Sequence, residues 1–137
     1  MELSFSEINW LAVGASFVAA QVLSTVWFTV LFGDPWAKEY GAADRKQHTK
    51  EVPGYTYAVQ AACTLLLTVS LALLHRWLSV DSVVDALLVG VFVAAGFCVA
   101  TGVPGQAFLK RWRVAALAVG SQVAMILTIS VILGLWR

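Results

Sequence analysis

Three glutamines lie inside long apolar runs of the sequence, where a buried amide needs a hydrogen-bond partner: Gln21, Gln60 and Gln122. If each run is a helix that rises about 1.5 Å per residue, Gln21 lies about 1.5 Å, Gln122 about 4.5 Å and Gln60 about 10 Å from the middle of its run, all toward the same end. Trp27 lies level with Gln60. We interpret these four residues as a candidate polar cavity that opens at this end. The alternative is that each amide hydrogen-bonds a neighbouring helix and only holds a helical bundle together.

Asn9 and His75 form a second polar pair at the opposite ends of their runs, roughly 13–16 Å from the middle. Cys63 and Cys98 lie deeper and could meet across neighbouring helices, although buried thiols usually behave as small apolar side chains. The sequence contains no CxxC, no HExxH, no serine elbow and no phosphate-binding loop. We therefore predict no catalytic residue, no metal site and no cofactor.

The apolar runs that carry these residues determine the class of protein. Of the 137 residues, 60% are apolar and 12% are charged, against about 25% charged residues in a soluble domain. A bilayer core needs roughly 20 helical residues to cross it. We predict one domain over residues 1–137, an all-α integral membrane bundle of four antiparallel transmembrane helices, which span Ile8–Phe32, Tyr55–Leu78, Val83–Val103 and Val114–Trp136.

The positive charges are distributed unevenly between the two sides of such a bundle. One side carries Lys38, Arg45, Lys46, Lys50, Lys110, Arg111 and Arg113. The other side carries only Arg76 and Arg137. Lys and Arg accumulate on the cytoplasmic side of membrane proteins. We therefore predict that both termini face outward from the cell membrane. A formal net charge of +1 gives no indication of nucleic-acid binding.

The connections contain residues suited to the membrane surface. Asp34, Pro35 and Gly41 bracket a short interfacial helix, followed by a polar linker over 42–51. Pro104 and Gly105 are expected to end the third span. As anchors to lipid headgroups we predict Trp36, Lys110, Arg111, Trp112 and Arg113.

Small residues recur every four positions in three of the runs, a pattern that favours close helix–helix contact in lipid. The three series are Ala12, Ser16, Ala20 and Ser24; Ala86, Gly90, Ala94, Cys98 and Gly102; and Ala116, Gly120, Ala124 and Thr128. A bundle of four helices has limited internal contact surface. We therefore predict a homo-oligomer that uses some of these faces.

The first run resembles the signature of a bacterial family of small four-span membrane proteins, catalogued as domain of unknown function 1761. The similar residues are Asn9–Val13, Trp27-Phe28, Leu31-Phe32-Gly33, Trp36 and a final Leu135-Trp136. The family usually has Trp-Tyr followed by Ser-Pro before Leu-Phe-Gly, whereas this chain has Trp27-Phe28-Thr29-Val30 and so lacks the helix-breaking proline. The resemblance implies a four-span protein of the bacterial inner membrane and no particular activity.

Three functions are compatible with these residues. The favoured one is a non-enzymatic, oligomeric membrane component that binds a lipid or a partner protein. The first alternative is an oligomeric channel or carrier for a small solute, with a path lined by amides. The second alternative is a membrane enzyme that acts on a lipid-soluble substrate.

Overall fold

A computed structural model describes residues 5–136, so Arg137, which enters the charge argument, lies outside the described residues. After a turn of 3-10 helix at Phe5–Glu7, six α-helices follow: α1 (Trp10–Leu31), α2 (Gly33–Glu39), α3 (Arg45–Glu51), α4 (Tyr55–Trp77), α5 (Val83–Phe108) and α6 (Trp112–Leu135). The helices α1, α4, α5 and α6 are long and apolar enough to cross a membrane. The predicted all-α architecture with four membrane spans is therefore confirmed.

The bundle has two distinct ends. The end formed by α2, α3 and the connection at Leu109–Arg111 carries most of the Lys and Arg residues, and we call it the basic end. The other end contains the 3-10 turn, the α4–α5 connection and Trp136, and we call it the terminal end. At the terminal end Ser82 caps α5, because its Oγ accepts a hydrogen bond from the Asp85 N–H at 3.0 Å.

Helix α6 lies at the centre and contacts α1, α4 and α5. Its approach to α5 is possible because side chains are small at the crossing points. A Cβ added at Gly90 would lie 2.6 Å from the Ser130 Oγ, and one added at Gly134 would lie 2.6 Å from the Ala86 Cβ. Helices in lipid associate through this kind of backbone approach, since lipid provides no hydrophobic drive between them.

The series of small residues on α1 and α5 face the inside of this bundle. Ala12, Ser16 and Ala20 are fully buried, and Ala86 and Ala94 are buried on α5. On α6, in contrast, Ala116 is exposed, and the helix buries larger residues such as Ile129. The α1 and α5 faces are thus used within one copy of the chain. Self-association stays a prediction, with less small-residue surface available to it than the sequence suggested.

Pro104 does not end the third span. Helix α5 continues through it to Phe108, five residues beyond the predicted end at Val103. One and a half turns earlier, α5 adopts π-helical geometry over Ala94–Val99. Local π adjustments allow proline within membrane helices, because they accommodate the backbone groups that proline leaves unpaired. The prediction that Pro104-Gly105 stops the helix was therefore wrong.

The first connection contains two short helices rather than one. The predicted interfacial helix is present as α2, and Gly41 follows it with a φ of +79°, the left-handed conformation common after a helix end. The supposed linker over 42–51 contains α3, where the Asp44 side chain accepts from the Gln47 N–H at 2.9 Å. An Asp followed three residues later by Gln is a capping signal that the sequence reading had missed.

Replacement of Gly90 by alanine tests the α5–α6 contact. The added methyl group would lie 2.6 Å from the Ser130 Oγ and 2.9 Å from its Cβ, so the helices must separate. We expect Gly90→Ala to lower the free energy of unfolding by about 1–3 kcal/mol, the usual cost of overpacking. Thermal or denaturant unfolding in detergent measures this. Gly96→Ala on the same helix is the control, because nothing lies within 4 Å of its Cβ position. Equal stability of the two variants would contradict the predicted contact.

Candidate functional site

A groove runs between α4 and α5 along the surface of α6, with a volume of about 510 Å³. Helix α6 forms its floor, where Ser121, Met125 and Ile126 are buried, whereas Cys63 on α4 and Phe97 on α5 are exposed at its edges. We call it the lateral groove. Its lining residues are Phe28, Trp36, Gln60, Cys63, Thr64, Leu67, Val93, Phe97, Cys98, Ala118, Ser121, Gln122, Met125 and Ile126.

The groove exists because α4 and α5 make few direct contacts, although a short turn joins them at the terminal end. The hydroxyls of α4 do not bridge the gap. Thr64 Oγ1 donates to the Gln60 carbonyl at 2.9 Å and Thr68 Oγ1 donates to the Thr64 carbonyl at 2.8 Å, so both hydroxyls bond within their own helix. Such bonds satisfy the hydroxyl without drawing a neighbouring helix closer.

Both π-helical segments contribute side chains to the lateral groove. Phe28 comes from the π segment of α1, Trp27–Leu31, and Phe97 and Cys98 come from that of α5, Ala94–Val99. A π turn adds one residue to the helical repeat, which changes the direction of the side chains around it. Single π turns within α-helices frequently lie at functional sites. Because both π-helical segments border the same groove, we take this groove as the candidate functional site.

A second cavity, of about 470 Å³, lies against the lateral groove at the basic end and shares with it Phe28, Trp36 and Gln60. We call it the basic cavity. It is lined by Gln21, Ser24, Thr25, Phe28, Thr29, Trp36, Tyr40, Arg45, His48, Thr49, Val52, Thr56, Tyr57 and Gln60. Both linings are mainly apolar, but only the basic cavity also contains an imidazole, from His48, and a guanidinium, from Arg45. Together they form an amphipathic pair of cavities.

The three glutamines of the predicted polar cavity are divided between these two spaces. Gln122 lies in the lateral groove, where its Oε1 accepts from the Cys98 Sγ–H at 3.1 Å. Gln21 lies in the basic cavity, and its Oε1 is buried with no hydrogen-bond partner among the described residues. Gln60 lines both cavities, and its Nε2 donates to Thr64 Oγ1 at 3.3 Å.

Trp27, the fourth residue of that predicted cavity, instead packs between helices. Its indole N–H donates to the Leu117 carbonyl at 3.0 Å, and its ring lies on Gly120, where a Cβ would be 3.2 Å from Cζ2. Gly120, one of the small residues on α6, therefore leaves room for an aromatic ring. The neighbouring Phe28 lines the groove, and the sequence reading did not single it out as a site residue.

Trp36, predicted as a headgroup anchor, belongs to a chain of aromatic contacts. Its ring lies 4.7 Å from that of Phe28 and 5.1 Å from that of Tyr40, and Tyr40 stacks on His48 at 5.0 Å. These contacts connect α1, α2 and α3 in sequence. They fix the two short helices beside both cavities.

The other predicted anchors differ in exposure. Lys110, Trp112 and Arg113 are exposed at the basic end and are free to reach a membrane surface. Arg111 is half-buried, and its Nη2 donates to the Glu39 carbonyl at 3.2 Å while its guanidinium lies 5.9 Å from the centre of the Tyr40 ring. Arg111 thus joins the last connection to α2.

Asn9 and His75 line a common cavity of about 280 Å³ at the terminal end. An ion pair between Glu7 and Arg76 lies beside it. The Asn9 Oδ1 caps α1 by accepting from the Ala12 N–H at 3.1 Å. His75 is buried, and neither ring nitrogen has a hydrogen-bond partner within the described part of the chain.

Cys63 and Cys98 are free thiols that line the lateral groove from α4 and α5. Among residues 5–136 no three His, Cys, Asp or Glu side chains come together as ligands for a metal ion. The groove lining contains no His, Asp or Glu, so neither thiol has a base beside it there.

Comparison with models of known protein families identifies the family of this chain. A family model described as a protein of unknown function, DUF1761, matches residues 11–134. The chain belongs to the DUF1761 family. No curated protein and no solved structure shows a significant match. The match to the DUF1761 model extends over all four spans, so it includes the lining of the lateral groove and of the basic cavity.

Trp36→Ala tests the aromatic chain. The substitution removes two ring contacts, each worth about 0.5–1.5 kcal/mol beyond buried area. We expect α2 and α3 to loosen, so that limited proteolysis cleaves the 33–54 segment several-fold faster. Trp112→Ala is the control, since that ring is 61% exposed at the same end of the bundle. Equal cleavage rates for the two variants would show that the aromatic chain does not hold these helices.

His75→Leu tests the buried imidazole. A buried polar group without a partner costs about 1–3 kcal/mol, so an apolar side chain of similar size should leave stability unchanged or raise it. The thermal midpoint in detergent measures the effect. A clear loss of stability would instead show that the imidazole is bound to a partner.

Proposed function

We propose that this protein is a non-enzymatic membrane component that binds a membrane lipid, with an acyl chain of the lipid in the lateral groove. The observation that carries the proposal is the amphipathic pair of cavities: an apolar groove between α4 and α5, adjoining a cavity at the basic end that contains the Arg45 guanidinium and the His48 imidazole. A glycerolipid has the same division into an apolar chain and a polar headgroup.

The dimensions and lining of the groove support this ligand class. A volume of about 510 Å³ lies within the roughly 300–1,000 Å³ typical of small-molecule sites. Its walls provide Leu67, Val93 and Ile126, while the polar atoms are concentrated near Gln60 and Gln122. Since the edges of the groove are exposed on membrane-spanning helices, acyl chains of the bilayer can enter from the side.

The chemistry of the groove favours binding over catalysis. The Cys98 thiol donates a hydrogen bond to Gln122 Oε1, and an amide is not a base. The remaining groove side chains are apolar, hydroxyl or amide groups and the Cys63 thiol. Nucleophilic catalysis requires a base within hydrogen-bond reach of the nucleophile.

A pair of phenylalanine substitutions on α6 tests lipid binding. Ala118 lies on the groove floor, so Ala118→Phe fills the space for an acyl chain, whereas Ala116 is exposed and outside the groove. Native mass spectrometry of delipidated protein titrated with dioctanoyl phosphatidylcholine gives the bound fraction and the copy number. We expect Ala118→Phe to weaken binding by at least about tenfold, equivalent to about 1.4 kcal/mol, and Ala116→Phe to leave it unchanged. If the unsubstituted protein bound neither this lipid nor its phosphatidylglycerol counterpart, or if both variants bound equally, the proposal would be overturned.

A further inference from the structure

The charge of the basic cavity indicates which headgroup it would accept. Arg45 is the only Lys, Arg, Asp or Glu among its lining residues. The remaining polar lining consists of hydroxyls, the amides of Gln21 and Gln60, and His48. Within this lining no carboxylate offsets the guanidinium, and a guanidinium attracts an anion.

Arg45 is held in place by contacts with α2. Its backbone N–H donates to the Asp34 Oδ1 at 3.0 Å. Its side-chain stem lies over Gly33, where an added Cβ would be 2.8 Å from the Arg45 Cδ. The stem therefore requires a glycine beneath it, which positions the guanidinium at one end of the cavity.

The acidic side chains near Arg45, Asp34 and Asp44, line a separate pocket with it and not the basic cavity. Asp34 accepts from the Arg45 backbone, and Asp44 accepts from the Gln47 backbone at 2.9 Å. Within the described residues, the guanidinium of Arg45 forms no ion pair with either carboxylate. Its five N–H donors are thus available to a ligand, and guanidinium binds phosphate through paired, charge-assisted hydrogen bonds.

The basic cavity and the lateral groove adjoin at Phe28, Trp36 and Gln60. We propose that the bound lipid is anionic: its phosphate-bearing headgroup is bound by Arg45 in the basic cavity while an acyl chain occupies the lateral groove. This inference rests on the proposed lipid binding and adds a charge preference to it. Phosphatidylcholine has a cationic choline that neutralises its phosphate, so the cavity should favour phosphatidylglycerol.

The experiment compares two lipids that differ only in headgroup. Delipidated protein in a neutral detergent is titrated with dioctanoyl phosphatidylglycerol and with dioctanoyl phosphatidylcholine, and native mass spectrometry gives both dissociation constants. We expect the unsubstituted protein to bind the anionic lipid at least about tenfold more tightly, the order of effect of one charge-assisted contact. Arg45→Gln should weaken phosphatidylglycerol binding more than phosphatidylcholine binding and so remove this preference, and Arg45→Lys should retain part of it.

Arg45 and Lys46 are both exposed, but only Arg45 lines the basic cavity. Lys46→Gln is therefore the matched control, because it removes the same charge from the next residue, outside that cavity. If Lys46→Gln reduces the preference as much as Arg45→Gln does, the preference reflects general surface charge and the inference is wrong. Inorganic phosphate is added as a competitor. Displacement of the anionic lipid by millimolar phosphate would show a site for the free anion and would overturn the assignment to a lipid.

The outcomes separate this inference from the proposed function. Equal affinities for the two lipids, both lost in Ala118→Phe, would refute the headgroup preference and leave lipid binding in the groove intact. Failure of both lipids to bind would refute both proposals.

Discussion

The close approach of α5 to α6 is the constraint on which the rest of the bundle depends. It is possible only where one helix offers a glycine to the other, as at Gly90 against Ser130 and Gly134 against Ala86. Helices without a hydrophobic drive between them associate where their backbones can approach. With α5 and α1 both packed on α6, the remaining helix α4 contacts its neighbours less extensively. The lateral groove lies in the space that results.

The irregular turns are related to the same space. A continuous α-helix through Ala94–Val99 would orient Phe97 and Cys98 differently, and a regular α1 would change the direction of Phe28. Each π turn interrupts the regular α-helix beside the groove and so changes which side chains line the groove. The π turn in α5 also precedes Pro104 in the same helix.

The two short helices extend the groove beyond the membrane-spanning segments. Rings from Phe28 to His48 form a continuous series of contacts, and Arg111 joins the series from the last connection through Tyr40. The interfacial segment is therefore part of the folded unit. It brings Arg45 beside a space whose other lining comes from α1, α2, α3 and α4, and this combination of a basic group with an apolar groove underlies the proposed binding of an amphiphile.

The sequence by itself determined the class of protein, the four spans, the interfacial helix and the family. Each of these depends on composition or on local order along the chain, such as the length of an apolar run or the Pro35 and Gly41 signals. It also placed Asn9 with His75, because depth along a span follows from helical rise. The division of Gln21 from Gln122, the packing of Trp27 on Gly120 and the roles of Phe28, Arg45 and His48 were decided by tertiary structure. Depth along a helix says nothing about rotation around its axis, and a single π turn changes that rotation for every residue that follows.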